Sequence, residues 1–244
     1  MPKQILIKVS QEFSDFCKSN NFSLAAFRGA SASNTNGVPV VWFNVANTNI
    51  VPNNPINVTF DPSYQVYDSL VDQVIPDGSV TVGQSMSAKL SDSFGIVAKQ
   101  LTKLSGGGIP TGIRIINQTP GVNIVAGLAG DNGVPIAAFV CNPNVNLFLE
   151  PLQTVTISLI GSAFGVGTAI VKATGPSVLL DLTSNNVANI EYNVLMGEWD
   201  LSVGSPTVPL TQIPADTAMQ PFVLPGMNSV KLKQLASLNA EAVK

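Results

Sequence analysis

The chain has 244 residues, 45% hydrophobic and only 11% charged, with a net charge of −3, whereas a typical soluble domain carries roughly 25% charged residues. This composition excludes disorder, which needs low hydrophobicity and high charge, and the length suits one sizeable β domain, with two small domains as the other option. From Ile115 to Val230 the only basic residue is Lys172, against seven acids, and nowhere do Lys and Arg cluster as a nucleic-acid binder requires.

Residues 3–9 alternate apolar and polar side chains, the period of a short strand. Ser10 to Lys18 carries its acids early and Lys late, with Phe13, Phe16 and Cys17 on one helical face. That pattern predicts a short helix covering one end of the sheets. Phe22 to Phe27 is a further apolar run, and residues 31–37 form a loop. Val38 to Ala46 is a predicted strand with Trp42 and Phe43 adjacent, so that their rings face opposite sides. A loop rich in Asn and Pro leads to a strand at Ile56 to Phe60. Tyr64, Val66 and Tyr67 fit a strand in part, and Pro76 to Gly78 is a turn. Ser79 to Leu90 alternates as a strand, and Ser93 to Leu104 is read as one strand over a short helix. Ile113 to Asn117 and Val122 to Leu128 are strands, and Asp131 to Gly133 is a hairpin turn.

Val134 to Gly175 is the most apolar part of the chain, with Glu150 and Lys172 its only charges. It divides into VPIAAFV, VNLFLE, TVTISLIG and GTAIVKAT, each bounded by Gly, Pro or Asn, which read as buried strands. Pro176 to Leu182 and Asn189 to Met196 add two more, and residues 197–201 close the set. Five prolines interrupt residues 203–227, which read as an arm, and Asn228 to Lys244 predicts a C-terminal helix. The expected fold is all-β: an antiparallel β-sandwich of about ten strands with a short N-terminal and a short C-terminal helix. Residues 1–202 are the expected sandwich domain. Residues 203–244 are expected to pack on that domain or on a neighbouring subunit.

The chain has no histidine, which removes His-based triads, His acid/base chemistry and imidazole zinc sites. Cys17 and Cys141 are too few for a disulfide framework and read as buried free thiols, with a single bridge as the other option. No Asp-x-Asp-x-Asp-Gly calcium loop is present, and the Gly-rich segments at 105–108 and 161–167 lack the Lys, Ser/Thr or acid of a phosphate site. Paired carboxylates have no motivated position. The expectation is a non-enzyme with no catalytic residues and no metal. The opening residues lack a signal-peptide pattern, and no run reaches a membrane helix. The expected location is therefore cytoplasmic or reached by a non-classical export route.

Trp42, Phe43, Tyr64, Tyr67, Phe139, Phe148, Phe164 and Trp199 lie on or beside predicted strands. Core packing is the ordinary role of such rings. A β-sandwich can also enclose an apolar cavity lined by them, with a few polar groups fixing orientation. These eight are the candidate ligand contacts. A surface this poor in charge also suits self-association, so a homo-oligomer is expected, and membrane contact stays open.

The segments VVWFNVANTNIV (40–51), YQVYDS, IRIINQTPGVNIVAG, VPIAAFVCNPN, EPLQTVTISL, DLTSNNVANIEYN and GEWD resemble a group of mushroom fruiting-body β-sandwich proteins. That group includes a polyene-binding pink chromoprotein with a cytolysin-like fold. The resemblance spans residues 38–202 and rests on no single chemical motif. It implies a non-enzymatic sandwich that holds a polyene or another apolar ligand non-covalently, as a dimer. The expected function is thus binding of a small hydrophobic, pigment- or lipid-like ligand in an apolar cavity or subunit interface. The alternatives are a membrane-acting, cytolysin-like pore former and a self-assembling structural or storage protein.

Overall fold

The computed structural model describes residues 1–228, 231–233 and 235. In chain order, β1 (Lys3–Lys8) leads into helix α1 (Gln11–Ser19), followed by β2 (Phe22–Ala32), β3 (Gly37–Pro39) and β4 (Phe43–Val45). Next come β5 (Ile56–Phe60), β6 (Tyr64–Ser69), β7 (Val82–Ala88), β8 (Ser93–Val97) and β9 (Gln100–Leu104). Then follow β10 (Ile113–Asn117), β11 (Ile124–Ala129), β12 (Pro135–Cys141) and β13 (Asn146–Gly161). The last strands are β14 (Ser177–Asp181), β15 (Val187–Asn193), β16 (Glu198–Leu201) and β17 (Leu210–Ile213), before the short helix α2 (Gln220–Val223).

The protein is all-β. Its strands form three sheets: β16-β15-β1-β5, β17-β14-β13-β10-β8-β9, and β3-β12-β11-β6-β7. The second sheet also carries β2 against β13, and β4 against β2. Most pairings are antiparallel; β1 with β15 and β10 with β8 are parallel. One large hydrophobic core draws side chains from all three sheets, including Ile5 and Ile7, Leu24 and Ile157, and Val66 and Leu128. No helix among the described residues is long and apolar enough to cross a membrane.

The strands are more numerous and differently divided than the sequence pattern predicts. Val38 to Ala46 is two short strands, with Trp42 in the step between them, its N–H donating to the Ala26 carbonyl at 3.0 Å. Ser93 to Leu104 is a hairpin, because Ala98 and Lys99 both adopt positive φ and reverse the chain. The runs VNLFLE and TVTISLIG join into the single long strand β13, and Phe22 to Phe27 extends to Ala32 as β2. GTAIVKAT forms only isolated bridges, to Val40, Ser79 and Ala218. Residues 203–227 contain β17, which pairs with β14, and Met219, Val223 and Leu224 are buried in the main core. Of the predicted C-terminal helix, residues 231–233 and 235 are helical and the remainder lies outside the described residues, apart from Asn228.

Helix α1 shows how local sequence sets an element. The Ser10 hydroxyl accepts the Phe13 N–H at 3.1 Å, a cap worth about 1 kcal/mol. Phe13 and Cys17 are buried, and the Phe13 ring lies 5.6 Å from Tyr192 and 5.7 Å from Trp199. The helix therefore closes one end of the core through an aromatic cluster.

β13 is the strand that places the candidate site. Along one edge it pairs with β2 from Leu149↔Ala32 to Gly161↔Phe22. The register breaks between Pro151↔Ala30 and Val155↔Arg28, so residues 152–154 bulge opposite Gly29. Proline cannot donate to a ladder and is tolerated where pairing is interrupted in this way. Gly29 allows the bulge to pack closely, since a β-carbon there would lie 2.0 Å from Thr154 Oγ1.

Candidate functional site

Beside the bulge, β2 carries Arg28, which is 1% exposed. Its guanidinium carbon lies 4.6 Å from the Phe60 ring centre, 4.7 Å from Tyr64 and 5.5 Å from Trp42. Phe60 ends β5 and Tyr64 begins β6, so the loop joining them wraps the cation. Trp42 approaches from the step before β4 and meets Phe60 edge-on at 5.5 Å. Desolvated cation–π contacts of this kind contribute about 2 kcal/mol.

The cage holds the charge but satisfies little of its hydrogen bonding. Arg28 Nη2 donates to the Asp61 carbonyl at 3.3 Å. Arg28 Nε and Nη1, Trp42 Nε1 and the Tyr64 hydroxyl are buried without a partner among the described residues. The Tyr64 hydroxyl sits beside the guanidinium and favours its charge. The four ion pairs among the described residues leave Arg28 out. Burial pushes the Arg28 pKa down by desolvating the cation, while Tyr64 and the charge of Asp131 oppose that shift.

A groove of about 610 Å³, open to solvent on one side, runs beside this cage. Tyr64 and Ala88, paired across β6 and β7, form part of its wall. Pro151 and Gln153 of the bulge form another, and Asp131 of the β11–β12 turn closes the third. Gln65 Nε2 donates to the Asp131 carbonyl at 3.2 Å and fixes that turn against β6. The volume falls within the range of about 300–1,000 Å³ common for small-molecule sites. Three other surface grooves have volumes of about 530, 420 and 360 Å³.

The eight candidate rings separate into distinct places. Trp42, Phe43 and Tyr64 come together, with Phe43 half-buried 6.3 Å from Trp42. Tyr67 is fully buried in a second core, where its hydroxyl donates to the Ala137 carbonyl at 3.0 Å. Burial raises its pKa well above the ordinary tyrosine value. Phe139 packs its ring over Gly37, and Phe148 joins Ile109, Met227 and Leu235 in a third cluster. Phe164 is half-buried beside Gly161, and Trp199 is buried with Phe13 and Tyr192, its Nε1 donating to the Pro176 carbonyl. Of the eight, Tyr64 alone lines the groove; Trp42, Phe43 and these five lie outside its lining.

Arg28, Phe60, Asp131 and Gln153 complete the site and are absent from the sequence-level candidates. A signal for Arg28 is present in the sequence: it is the lone charged residue between Lys18 and Asp61. A single charge in so apolar a stretch has to be caged or paired when the strand is buried. Cys17 and Cys141 are free and buried. Desolvation pushes each thiol pKa up to about 12, so neither is a nucleophile at neutral pH. No three His, Cys, Asp or Glu side chains converge as a metal site among the described residues.

Fold and site together define an all-β protein with one caged, unpaired buried cation beside an open groove. No protein-family model matches the chain, and no curated protein or solved structure shows significant similarity to it.

Proposed function

We propose that the protein is a non-enzymatic binder of a small, largely apolar ligand, and that the groove beside Tyr64 is its site. The observation that carries this reading is the groove of about 610 Å³ with Tyr64 in its wall, a residue that also belongs to the aromatic group of Trp42 and Phe60 around Arg28. Pro62, Ala88, Leu90 and Pro151 add apolar lining, and Gln65 and Gln153 supply polar groups at its walls. This is the common composition of a small-molecule pocket: mostly apolar, with a few placed polar atoms. Extraction of the purified protein with organic solvent, followed by mass spectrometry, tests the reading. A stoichiometric apolar compound is expected; its absence, together with no binding of added apolar probes, contradicts the proposal.

A second reading, self-association, is favoured by the β15–β16 turn. Leu195 is 97% exposed there and Met196 69% exposed. Two large apolar side chains on a charge-poor surface suit contact with a second copy. Sedimentation velocity across a range of concentrations tests it, and a monomer at every concentration excludes it.

A further inference from the structure

Five large aliphatic side chains are exposed at one end of the molecule. Leu70 and Ile75 belong to the β6–β7 connection, Val97 ends β8, Val122 lies in the β10–β11 connection and Val145 in the β12–β13 connection. Each is between 46% and 58% exposed. The strand registers bring them to the same end. Ser69 pairs with Val82, Asp68 with Ala126 and Ile124 with Cys141, while β8 and β10 run parallel and finish side by side at Ile96 and Asn117. Leu70 and Ile75 share the lining of one shallow hollow. Exposed aliphatic residues scattered singly are ordinary, but these five are gathered on neighbouring turns.

The turns are tied to one another. Lys99 Nζ donates to the Leu70 carbonyl at 3.0 Å and pairs with Asp72 at 2.8 Å, which joins the β8–β9 turn to the β6–β7 connection. The Ala98 N–H donates to Thr119 Oγ1 at 2.9 Å. Asn117 is fully buried, and its Nδ2 donates to the Val122 carbonyl at 2.7 Å and the Cys141 carbonyl at 2.9 Å. Its own carbonyl accepts the Asn144 N–H at 2.7 Å. The aliphatic side chains therefore stand on preordered turns, and docking them costs little backbone entropy. Charge is sparse at this end. Residues 118–123 and 142–145 carry none, and the Lys99–Asp72 pair cancels, so Asp77 supplies the net charge of residues 70–81 and 97–99.

The geometry points to this end as a docking surface for a zwitterionic lipid interface, with the five aliphatic side chains entering the boundary between headgroups and acyl chains and the strands staying outside the bilayer. Single aliphatic residues set among Asn, Gln and Thr suit a fluid surface. Each side chain sinks in separately, and its polar neighbours meet headgroups. Anionic lipids are held through clustered Lys and Arg, which this end lacks. A lipid surface without net charge is the one that matches it. The groove is set at the other end of β6 and β11, where Tyr64 and Asp131 stand, so the docked turns lie away from it. The inference is independent of the groove reading.

The test is flotation of the full chain with phosphatidylcholine vesicles. The chain is expected to rise with them equally at low salt and in about 0.5 M NaCl, where surface charges are screened. Replacing part of the lipid with phosphatidylserine is expected to bring no gain. Leu70→Asn and Val122→Asn are each expected to weaken binding about tenfold, and together about a hundredfold. Both side chains are exposed, so the variants keep the fold. Leu195→Asn, in the β15–β16 turn, is expected to leave binding within about twofold. Absence of flotation, flotation that needs phosphatidylserine and is lost in salt, or an equal loss with Leu195→Asn overturns the inference. So does a dimer in sedimentation velocity that Leu70→Asn dissolves while vesicles stay unbound, which would assign this end to a second copy. Release of a dye entrapped in the vesicles would show strands crossing the bilayer and also contradict it.

Discussion

Arg28→Met tests whether the caged cation is a net cost to the fold or a satisfied part of it. The substitution removes the Nη2 hydrogen bond to the Asp61 carbonyl, which at 3.3 Å is long and so falls at the lower end of the range for charged donors, about 1.5 kcal/mol. It also removes the cation–π contact with Phe60, Tyr64 and Trp42, about 2 kcal/mol when desolvated. Against these losses stands the desolvation of a guanidinium with no ion-pair partner, an effective penalty of several kcal/mol. Methionine has a similar length and packs well against aromatic rings. The terms leave Arg28→Met between roughly neutral and about 4 kcal/mol more stable than the parent chain, as replacements of buried charges by apolar residues often are. Urea unfolding followed by circular dichroism, with ΔG extrapolated to water, measures this. A loss of more than about 3 kcal/mol, the usual cost of breaking a well-paired buried charge, would show that Arg28 is a satisfied structural cation and would refute the reasoning.

Other expectations follow from individual packing details. Gly29→Ala places a β-carbon 2.0 Å from Thr154 Oγ1 and is expected to lower stability by about 1–3 kcal/mol through overpacking; thermal melts should show recovery of part of that loss when Thr154→Gly is added. Ser10→Ala removes the acceptor of the Phe13 N–H and is expected to cost about 1 kcal/mol in urea unfolding. The two buried thiols have native pKa values raised to about 12 from 9.0. The native state then holds protons that the unfolded state releases, so this contribution is complete below pH 9 and is lost progressively as pH rises towards 12. Stability measured against pH should decline across that window, and a thiol reagent at pH 8 should label the chain only in denaturant.

The fold class was legible because its signal is local. Alternating apolar runs separated by Gly, Pro and Asn specify strands wherever they meet a core. Strand boundaries were less legible, since they depend on partners elsewhere in the chain. Val38 to Ala46 divides because its partners change along it: β3 pairs with β12, Val41 hydrogen-bonds residues 167 and 168, and Trp42 and β4 pair with β2. Glu150 and Pro151 stay within β13 because β2 continues opposite them. Of the aromatic candidates, Tyr64 alone lines the groove, and strand spacing could not separate it from rings such as Tyr67 and Trp199, whose places are set by packing. Arg28 follows directly after an apolar run, and only the fold reveals that its strand is buried and that three rings from other segments surround it. Hydrogen-bond partners that are missing, rather than residues that are present, mark this site, and a sequence does not display them.

The two tryptophans allow the central claim to be tested in one spectrum. Trp199 Nε1 donates to the Pro176 carbonyl at 3.2 Å, whereas Trp42 Nε1 has no partner among the described residues. In a 1H–15N correlation spectrum the chain gives two indole N–H signals. Addition of 1-octanol is expected to move the Trp42 signal, because the Trp42 ring shares the Arg28 cage with Tyr64 of the groove wall, and to leave the Trp199 signal in place. A spectrum in which neither indole moves at saturating 1-octanol, or in which only Trp199 moves, contradicts ligand binding in the groove beside Tyr64.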